Sequence, residues 1–338
     1  MSSYTATVPS NIAFIKYWGK RPDAQQWPAN DSLSMTLNQL ATRTTARIHQ
    51  AADHSLRLGD RVYTRNDKNL GKTFVHLDRL ALRFGFSQKL QITSVNSFPM
   101  GAGIASSASG LAALTLAALM AWTDSQQWDD LQSHGFDRSR LADLARLGSG
   151  SACRSLFGGF VQWEAGTDEE SQRYASLFSD EHWALRDTVV LFSSEQKAVG
   201  STEAHELAWS SPLFIPRLSG LPERMNLVKD ALAARDMQSL GLWLEVEALE
   251  MHAVIMTASQ PVHYLNREAL EFIADLRAAR QRGEIHAYFT IDAGPNIHVI
   301  HEAGEHERLK LWLQRRLAAD RLLHDSVGSG PRLDFQSE

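Results

Sequence analysis

Strands and helices interleave along the whole of this sequence, which predicts a two-layer fold of the α+β or α/β class. Two periodicities carry that prediction. Some segments alternate polar and apolar side chains, the period of two that marks a half-buried strand. Others repeat apolar residues at three and four, the stripe of a helix packed on one face. Both kinds occur in each half of the chain, and its 338 residues suffice for two domains of about 150 residues or one large unit.

Near the N-terminus, Ile12, Phe14 and Tyr17 suit a strand or a strand end. Residues 41–49 (ATRTTARIH) and 88–95 (QKLQITSV) alternate and predict strands. Between them Phe74, Leu77, Leu80, Ala81 and Phe84 form one helical stripe. After Pro99 the stretch GAGIASSASG leads into LAALTLAALMAW, a loop feeding a buried helix. Leu141, Leu144 and Ala145 mark a short helix over 138–147, ended by the run Gly148 to Ser151, and 159–164 and 187–193 predict strands. Ser194 to Glu223 carries Pro212, Pro216 and Pro222, breaks the periodicity and is expected to connect the halves. Helices are expected near 223–234, 236–257 and 267–282, then a hairpin-like pair, HAYFTID and NIHVIH, joined by Ala293-Gly294-Pro295. A helix near 305–319 and a short polar tail complete the chain.

Hydrophobic residues at 43% and charged residues at 22% exclude the disordered, collagen-like and low-complexity classes. The net charge of −5, with no block of like charge, disfavours general binding to nucleic acid or an anionic membrane, so an anionic ligand needs a local cluster. Gly110 to Trp122, the longest apolar stretch, falls short of the about 20 residues a bilayer span needs. The first five residues lack the pattern of a secretory signal, and the single Cys153 cannot close an intramolecular disulfide. A cytoplasmic protein is expected.

Pro99 to Ala108 has the parts of a phosphate-binding loop in the right order: Gly101 and Gly103 permit tight backbone, and Ser106 and Ser107 bring hydroxyls to a helix start whose N–H groups are unpaired. Magnesium, which takes oxygen ligands, suits the same hydroxyls. A Walker A loop would need a lysine that is absent, and a G-x-G-x-x-G fingerprint fails at Ser106. A small-residue helix start packed on a strand explains the segment too.

Three other polar clusters stand out. Lys16 lies in an apolar run, either snorkelling to solvent or placed in a cleft, and Lys20 and Arg21 follow as candidate surface charges. Ser149, Ser151 and Arg154 surround Gly150, a set that suits a phosphate or carboxylate and that a helix end followed by a loop explains equally. Asp292 is either a turn former or a carboxylate delivered into a cleft at the exit of a strand. The pairs His301/His306 and His252/His263 lack a carboxylate at metal-ligand spacing, Cys153 reads as a buried thiol, and the Met and Trp residues of 225–256 read as core.

Together these clusters resemble the GHMP small-molecule kinase superfamily and, within it, the mevalonate diphosphate decarboxylase family. The resemblance runs through NIAFIKYWGKR at 11–21, NDSLSMTL at 30–37, SFPMGAGIASSASG at 97–110, GSGSACRSLFGGF at 148–160, VGSTEAH at 199–205, MHAVIMTASQPVHYL at 251–265, FTIDAGPN at 289–296 and VGSGP near the C-terminus. The Gly/Ser loop alone indicates the superfamily; KYWGKR with GSGSACRS and DAGPN is far more specific. Departures are Asp31 in NDSLS, the missing double proline around Pro261 and Met100-Gly101 before the loop, and none removes a group the reaction needs.

The resemblance implies the two-layer GHMP fold, with an N-terminal half of the ribosomal-protein-S5-domain-2 type over 1–185, an α/β C-terminal half over 186–330, a tail over 331–338 and the site in the cleft between halves. It implies ATP and magnesium, a small-molecule substrate, a homodimer, and conversion of (R)-5-diphosphomevalonate to isopentenyl diphosphate, phosphate and CO2. Asp292 would contact the C3 hydroxyl, Lys16 would keep Asp292 ionised, and Tyr17, Lys20, Ser149, Ser151 and Arg154 would hold the diphosphate and carboxylate, with Asn11 positioning Arg154. Pro99, Gly101, Ala102, Gly103, Ala105, Ser106 and Ser107 would wrap the ATP phosphates, Ser107 being the candidate magnesium contact. A monophosphate decarboxylase, a 3-kinase and a ligand sensor without catalysis are the alternatives.

Overall fold

A computed structural model of the chain describes residues 2–21, 26–67, 70–99, 106–168, 170–193 and 200–337. Two antiparallel strands, β1 (Ser3–Ile15) and β2 (Ser32–His49), form the spine of an eight-stranded sheet. Their register shifts between Pro9 and Asn11, where proline has no N–H to give the ladder, and again between Ala13 and Ile15. The C-terminal part of β2 pairs with β5 (Lys89–Asn96), and the sheet continues through β3 (Ser55–Leu58), parallel to β5, to β4 (Arg61–Tyr63). The N-terminal part of β2 pairs with β6 (Phe160–Glu164), itself paired with β7 (Arg173–Phe178).

Beyond its first turn, helix α2 (Ser106–Thr123) is apolar on most sides because it is enclosed on most sides: it lies on β1 and β2, covered by α1 (Gly71–Phe84), α3 (Trp128–Ser133) and α4 (Arg138–Gly148). Its length and composition would allow it to cross a bilayer, but 72% of it is buried in this core. Asp137 starts α4 by accepting the Arg140 N–H at 2.8 Å.

The second sheet is four-stranded and antiparallel, in the order β11 (Leu322–Ser326), β8 (Leu185–Val190), β10 (Ile297–Glu302), β9 (Ala287–Ile291). Alternate side chains serve its two faces. Val190, Phe289 and Val299 join α8 (Arg267–Gln281) and α9 (His306–Gln314), whereas Val189, Tyr288 and Ile300 join α6 (Phe214–Ala234) and α7 (Met237–Met256). This second cluster also contains Ile12, Phe14, Leu33 and Met35, so the C-terminal end of β1 and the N-terminal end of β2, still paired within the larger sheet, pack into the core beside the smaller one.

The α+β class is as expected, with differences in the elements. Residues 214–222, expected within a connection, begin α6, and α5 (Ser201–Leu207) precedes it. Pro216 falls in the first turn, where its N–H would have no intrahelical partner, and Pro222 gives up one bond inside a helix fixed by buried Leu221, Met225 and Val228. The expected tail contains β12 (Arg332–Gln336), paired with β1 from Ser3↔Gln336 to Thr7↔Arg332, with the Phe335 and Tyr4 rings 5.3 Å apart. The last helix ends at Gln314 rather than 319. The short elements β3, β4, β7, α3 and β11 have too few residues to show a period.

Candidate active site

Lys16 follows the last residue of β1 and Asp292 the last residue of β9, and both strand ends open into one cleft of about 650 Å³. Thr290 Oγ1 donates to the Ala13 carbonyl at 3.3 Å, tying the two ends together. Lys16 Nζ donates to Asp292 Oδ1 at 2.7 Å and to the Ala13 carbonyl at 2.8 Å. The lysine side chain is 2% exposed and that of Asp292 27%, so the amine does not snorkel and the carboxylate faces the cleft. Burial pulls the Lys16 ammonium below the ordinary lysine value, against the opposing pull of Asp292 and Glu247. Burial pushes the Asp292 carboxyl up, but Lys16, His298 and Arg154 together outweigh it and hold the carboxyl below its usual range.

Arg154 comes from a single 3₁₀ helix, Gly150–Leu156, packed under the cleft floor. Its guanidinium is buried and donates to Ser32 Oγ at 2.7 Å and to Asn11 Oδ1 at 3.1 and 3.3 Å. Asn11 in turn donates to Ser155 Oγ at 2.8 Å and to the Ser151 carbonyl at 3.3 Å, which fixes its amide and thereby the arginine. These acceptors are neutral, so the cation is oriented without being paired to a carboxylate by them, an arrangement that suits an incoming anion.

Ser149, at the end of α4, and Ser151 line the same cleft, as do Tyr17 and Lys20. The Tyr17 ring is held between Trp163, centroids 4.8 Å apart, and His205 at 4.4 Å, and burial raises its hydroxyl pKa. Glycine is needed at 150 because a Cβ there would stand 2.4 Å from the Tyr17 ring. Lys20 is half-buried, and burial lowers its ammonium pKa despite Glu206 nearby.

Ser106 and Ser107 at the start of α2 line the same cleft, with Lys72, Ser94 and Asn96. A buried relay seats this helix start: Ser10 Oγ donates to Ser109 Oγ at 3.1 Å, Ser109 and Thr42 hydroxyls lie 2.7 Å apart, and Thr42 donates to Asn96 Oδ1 at 2.8 Å. Ser107 is exposed to the cleft, where the unpaired N–H groups and positive dipole end of an 18-residue helix favour phosphate. Pro99 is exposed beyond β5 and is not among the described residues that line the cleft. Gly101, Ala102, Gly103 and Ala105 lie outside the described residues. Among the described residues no three His, Cys, Asp or Glu side chains form a metal site. Ser107 offers one oxygen ligand, which fits a magnesium ion carried on phosphates and keeping its waters.

Around the site, Asn30 and Glu247 were not assigned a role from sequence, and His252 was considered only as a metal ligand and set aside. Asn30 Nδ2 donates to the Lys16 carbonyl at 3.0 Å, Glu247 accepts the Lys16 N–H at 2.9 Å, and His252 Nε2 donates to the Asp292 carbonyl at 3.2 Å. Glu247 is one of three glutamates, with Glu245 and Glu250, in a mainly apolar helix, and the sequence does not set it apart from the other two. Cys153 is inert, its thiol pushed up to about 12 by burial, and donates to the Gly150 carbonyl.

Comparison with known proteins identifies the family. The family model for the diphosphomevalonate decarboxylase-like N-terminal domain matches residues 8–175, and that for the mevalonate 5-diphosphate decarboxylase C-terminal domain matches 188–333. Diphosphomevalonate decarboxylase of Candida albicans is 31% identical over 370 aligned positions, covering 100% of this chain and 99% of that protein. A solved structure of MDDEF in complex with MVAPP, AMPPCP and magnesium is 32% identical, with a TM-score of 0.88 over 98% of this chain and 99% of that one. A structure of the mevalonate diphosphate decarboxylase from Enterococcus faecalis is 31% identical, with a TM-score of 0.87 and the same coverage. With both halves matched in sequence and nearly the whole chain matched in fold, this chain belongs to the diphosphomevalonate decarboxylase family.

Proposed function

We propose that the cleft carries out ATP-dependent decarboxylation of (R)-5-diphosphomevalonate to isopentenyl diphosphate, ADP, phosphate and CO2. The observation that carries this reading is the Lys16–Asp292 pair facing a cleft beside the oriented guanidinium of Arg154. The likeness to a structure that holds MVAPP, AMPPCP and magnesium supports the substrate, ATP and magnesium.

When bound, ATP with magnesium supplies a phosphoryl group that turns the C3 oxygen from a poor leaving group into a good one. Asp292 accepts the hydrogen bond of the C3 hydroxyl, orients it and takes its proton. Lys16 keeps that carboxylate ionised and offsets negative charge that builds beside it. Arg154, held by Asn11 and Ser32, grips an anionic end of the substrate in fixed orientation. Ser149, Ser151, Tyr17 and Lys20 complete the hold on the diphosphate and carboxylate, and Ser106 and Ser107 receive nucleotide phosphates at the start of α2.

A first domain over 1–185 and a second over 186–330 sharing one cleft fits the convergence of Lys16 with Asp292. The assembly proposed is a homodimer in the cytoplasm: exposed Leu242 and Val246 on α7 offer apolar surface for a partner, and the single cysteine is consistent with a reducing compartment. The deciding experiment is product analysis with ATP, magnesium and either 5-diphosphomevalonate or the monophosphate. Stoichiometric ADP, CO2 and isopentenyl diphosphate from the diphosphate are expected; no CO2 from it overturns the reading.

A further inference from the structure

Glu247 on α7 and Arg217 on α6 are fully buried, and Arg224, about two turns along the same helix face from Arg217, is nearly so. Taking such charges out of water costs several kcal/mol per ion, so their arrangement calls for a physical account. Glu247 Oε1 accepts both the Arg217 guanidinium and, at 2.9 Å, the main-chain N–H of Lys16. Its Oε2 accepts Arg224, which also reaches Glu250. Arg217 Nη2 donates to the Lys16 carbonyl at 3.3 Å, and Asn30 donates to the same oxygen at 3.0 Å.

Both main-chain polar groups of Lys16 are thus fixed by side chains, at a residue just beyond the strand ladder of β1. An ion pair that merely clipped α6 to α7 would have no need of that N–H. The same helix also holds the opposite member of the dyad, since His252 donates to the Asp292 carbonyl at 3.2 Å.

We propose that Glu247 is the positioning residue for Lys16: braced by Arg217 and Arg224, it fixes the lysine main chain so that the ammonium meets Asp292, and it places a second anion behind that ammonium. The proposal rests on the reading of Lys16 and Asp292 given above. The charges facing Lys16 are Asp292, Glu247 and Arg154, with Arg217 at its carbonyl, and of these Glu247 and Asp292 favour the protonated amine.

The test is the pH profile of kcat and KM for the full-length protein and for E247Q, E247D and D292N. E247Q keeps an acceptor for the N–H but loses the charge, so the alkaline limb of kcat moves to lower pH while KM for ATP stays within about twofold. E247D keeps the charge and falls one methylene short, so kcat drops by roughly tenfold or more with the alkaline limb in place. E247Q strands two arginines; if it does not fold, E247D carries the test. Folded variants with wild-type kcat and limbs, or a loss fully accounted for by a smaller amount of folded protein, overturn the proposal. An inactive wild-type protein, or a D292N variant as active as wild type, overturns instead the reading on which it rests.

Discussion

At the scale of single residues, what a buried polar group does is set by the partners it meets. Lysine is long enough to carry its charge to water, yet Lys16 stays inside because Asp292 and the Ala13 carbonyl accept its N–H groups. Buried histidines show the opposite balance. His76 Nε2 donates to Thr115 Oγ1 at 2.8 Å, that hydroxyl being spent on the Leu111 carbonyl, while His76 Nδ1 is buried without a hydrogen-bond partner. Burial therefore lowers His76 to about 4, and burial with His306 alongside lowers His301 to about 4, both from 6.5. Below 6.5 the unfolded chain binds protons that the folded protein refuses, so this stability is complete above that pH and is lost as pH falls toward about 4. Shifts of this size correspond to roughly 3 kcal/mol each. Thermal melts between pH 7.5 and 4 are expected to show Tm falling steadily below 6.5; an unchanged Tm across that interval contradicts the assignment.

At the scale of elements, the site depends on how tightly the 3₁₀ helix at Gly150–Leu156 lies under Tyr17. The backbone at Gly150 is not in the left-handed region, so alanine fits the chain there, and any effect must come from its methyl group meeting the ring. Tyr17 has little freedom to retreat between Trp163 and His205. Gly150→Ala is expected to cost about 1–3 kcal/mol of stability and to raise KM for diphosphomevalonate by roughly tenfold, measured by melts and steady-state kinetics; unchanged KM argues against a substrate role for Tyr17. Elements with a sustained period were legible in sequence, such as β5, α7, α8 and the β9–β10 hairpin. The start of α6 was not, because its prolines read as breaks although one sits where a helix has no bond to lose. Nor was β12, whose five residues become a strand only because β1 offers an edge.

At the scale of the whole molecule, the chemistry is assembled by contacts between residues far apart in the chain. Lys16 and Asp292 are separated by 276 positions, and each alone invited a bland explanation that only the tertiary structure removes. The polar motifs around Ser107, Arg154 and Asp292 were visible as clusters because small and charged residues interrupt apolar runs. The roles of Asn30, Glu247 and His252 were not visible, since what they hold is main chain, and no residue pattern announces that. The joint core built from β1, β2, α6, α7 and the smaller sheet keeps the two strand ends in register with each other. The central claim is that the Asp292 carboxylate acts on the substrate hydroxyl with Lys16 beside it. The most direct test is the rate of CO2 release by Asp292→Asn with saturating ATP and diphosphomevalonate. The account predicts a loss of about 10²–10⁴-fold in kcat with nucleotide affinity nearly unchanged; release within a few-fold of wild type contradicts it.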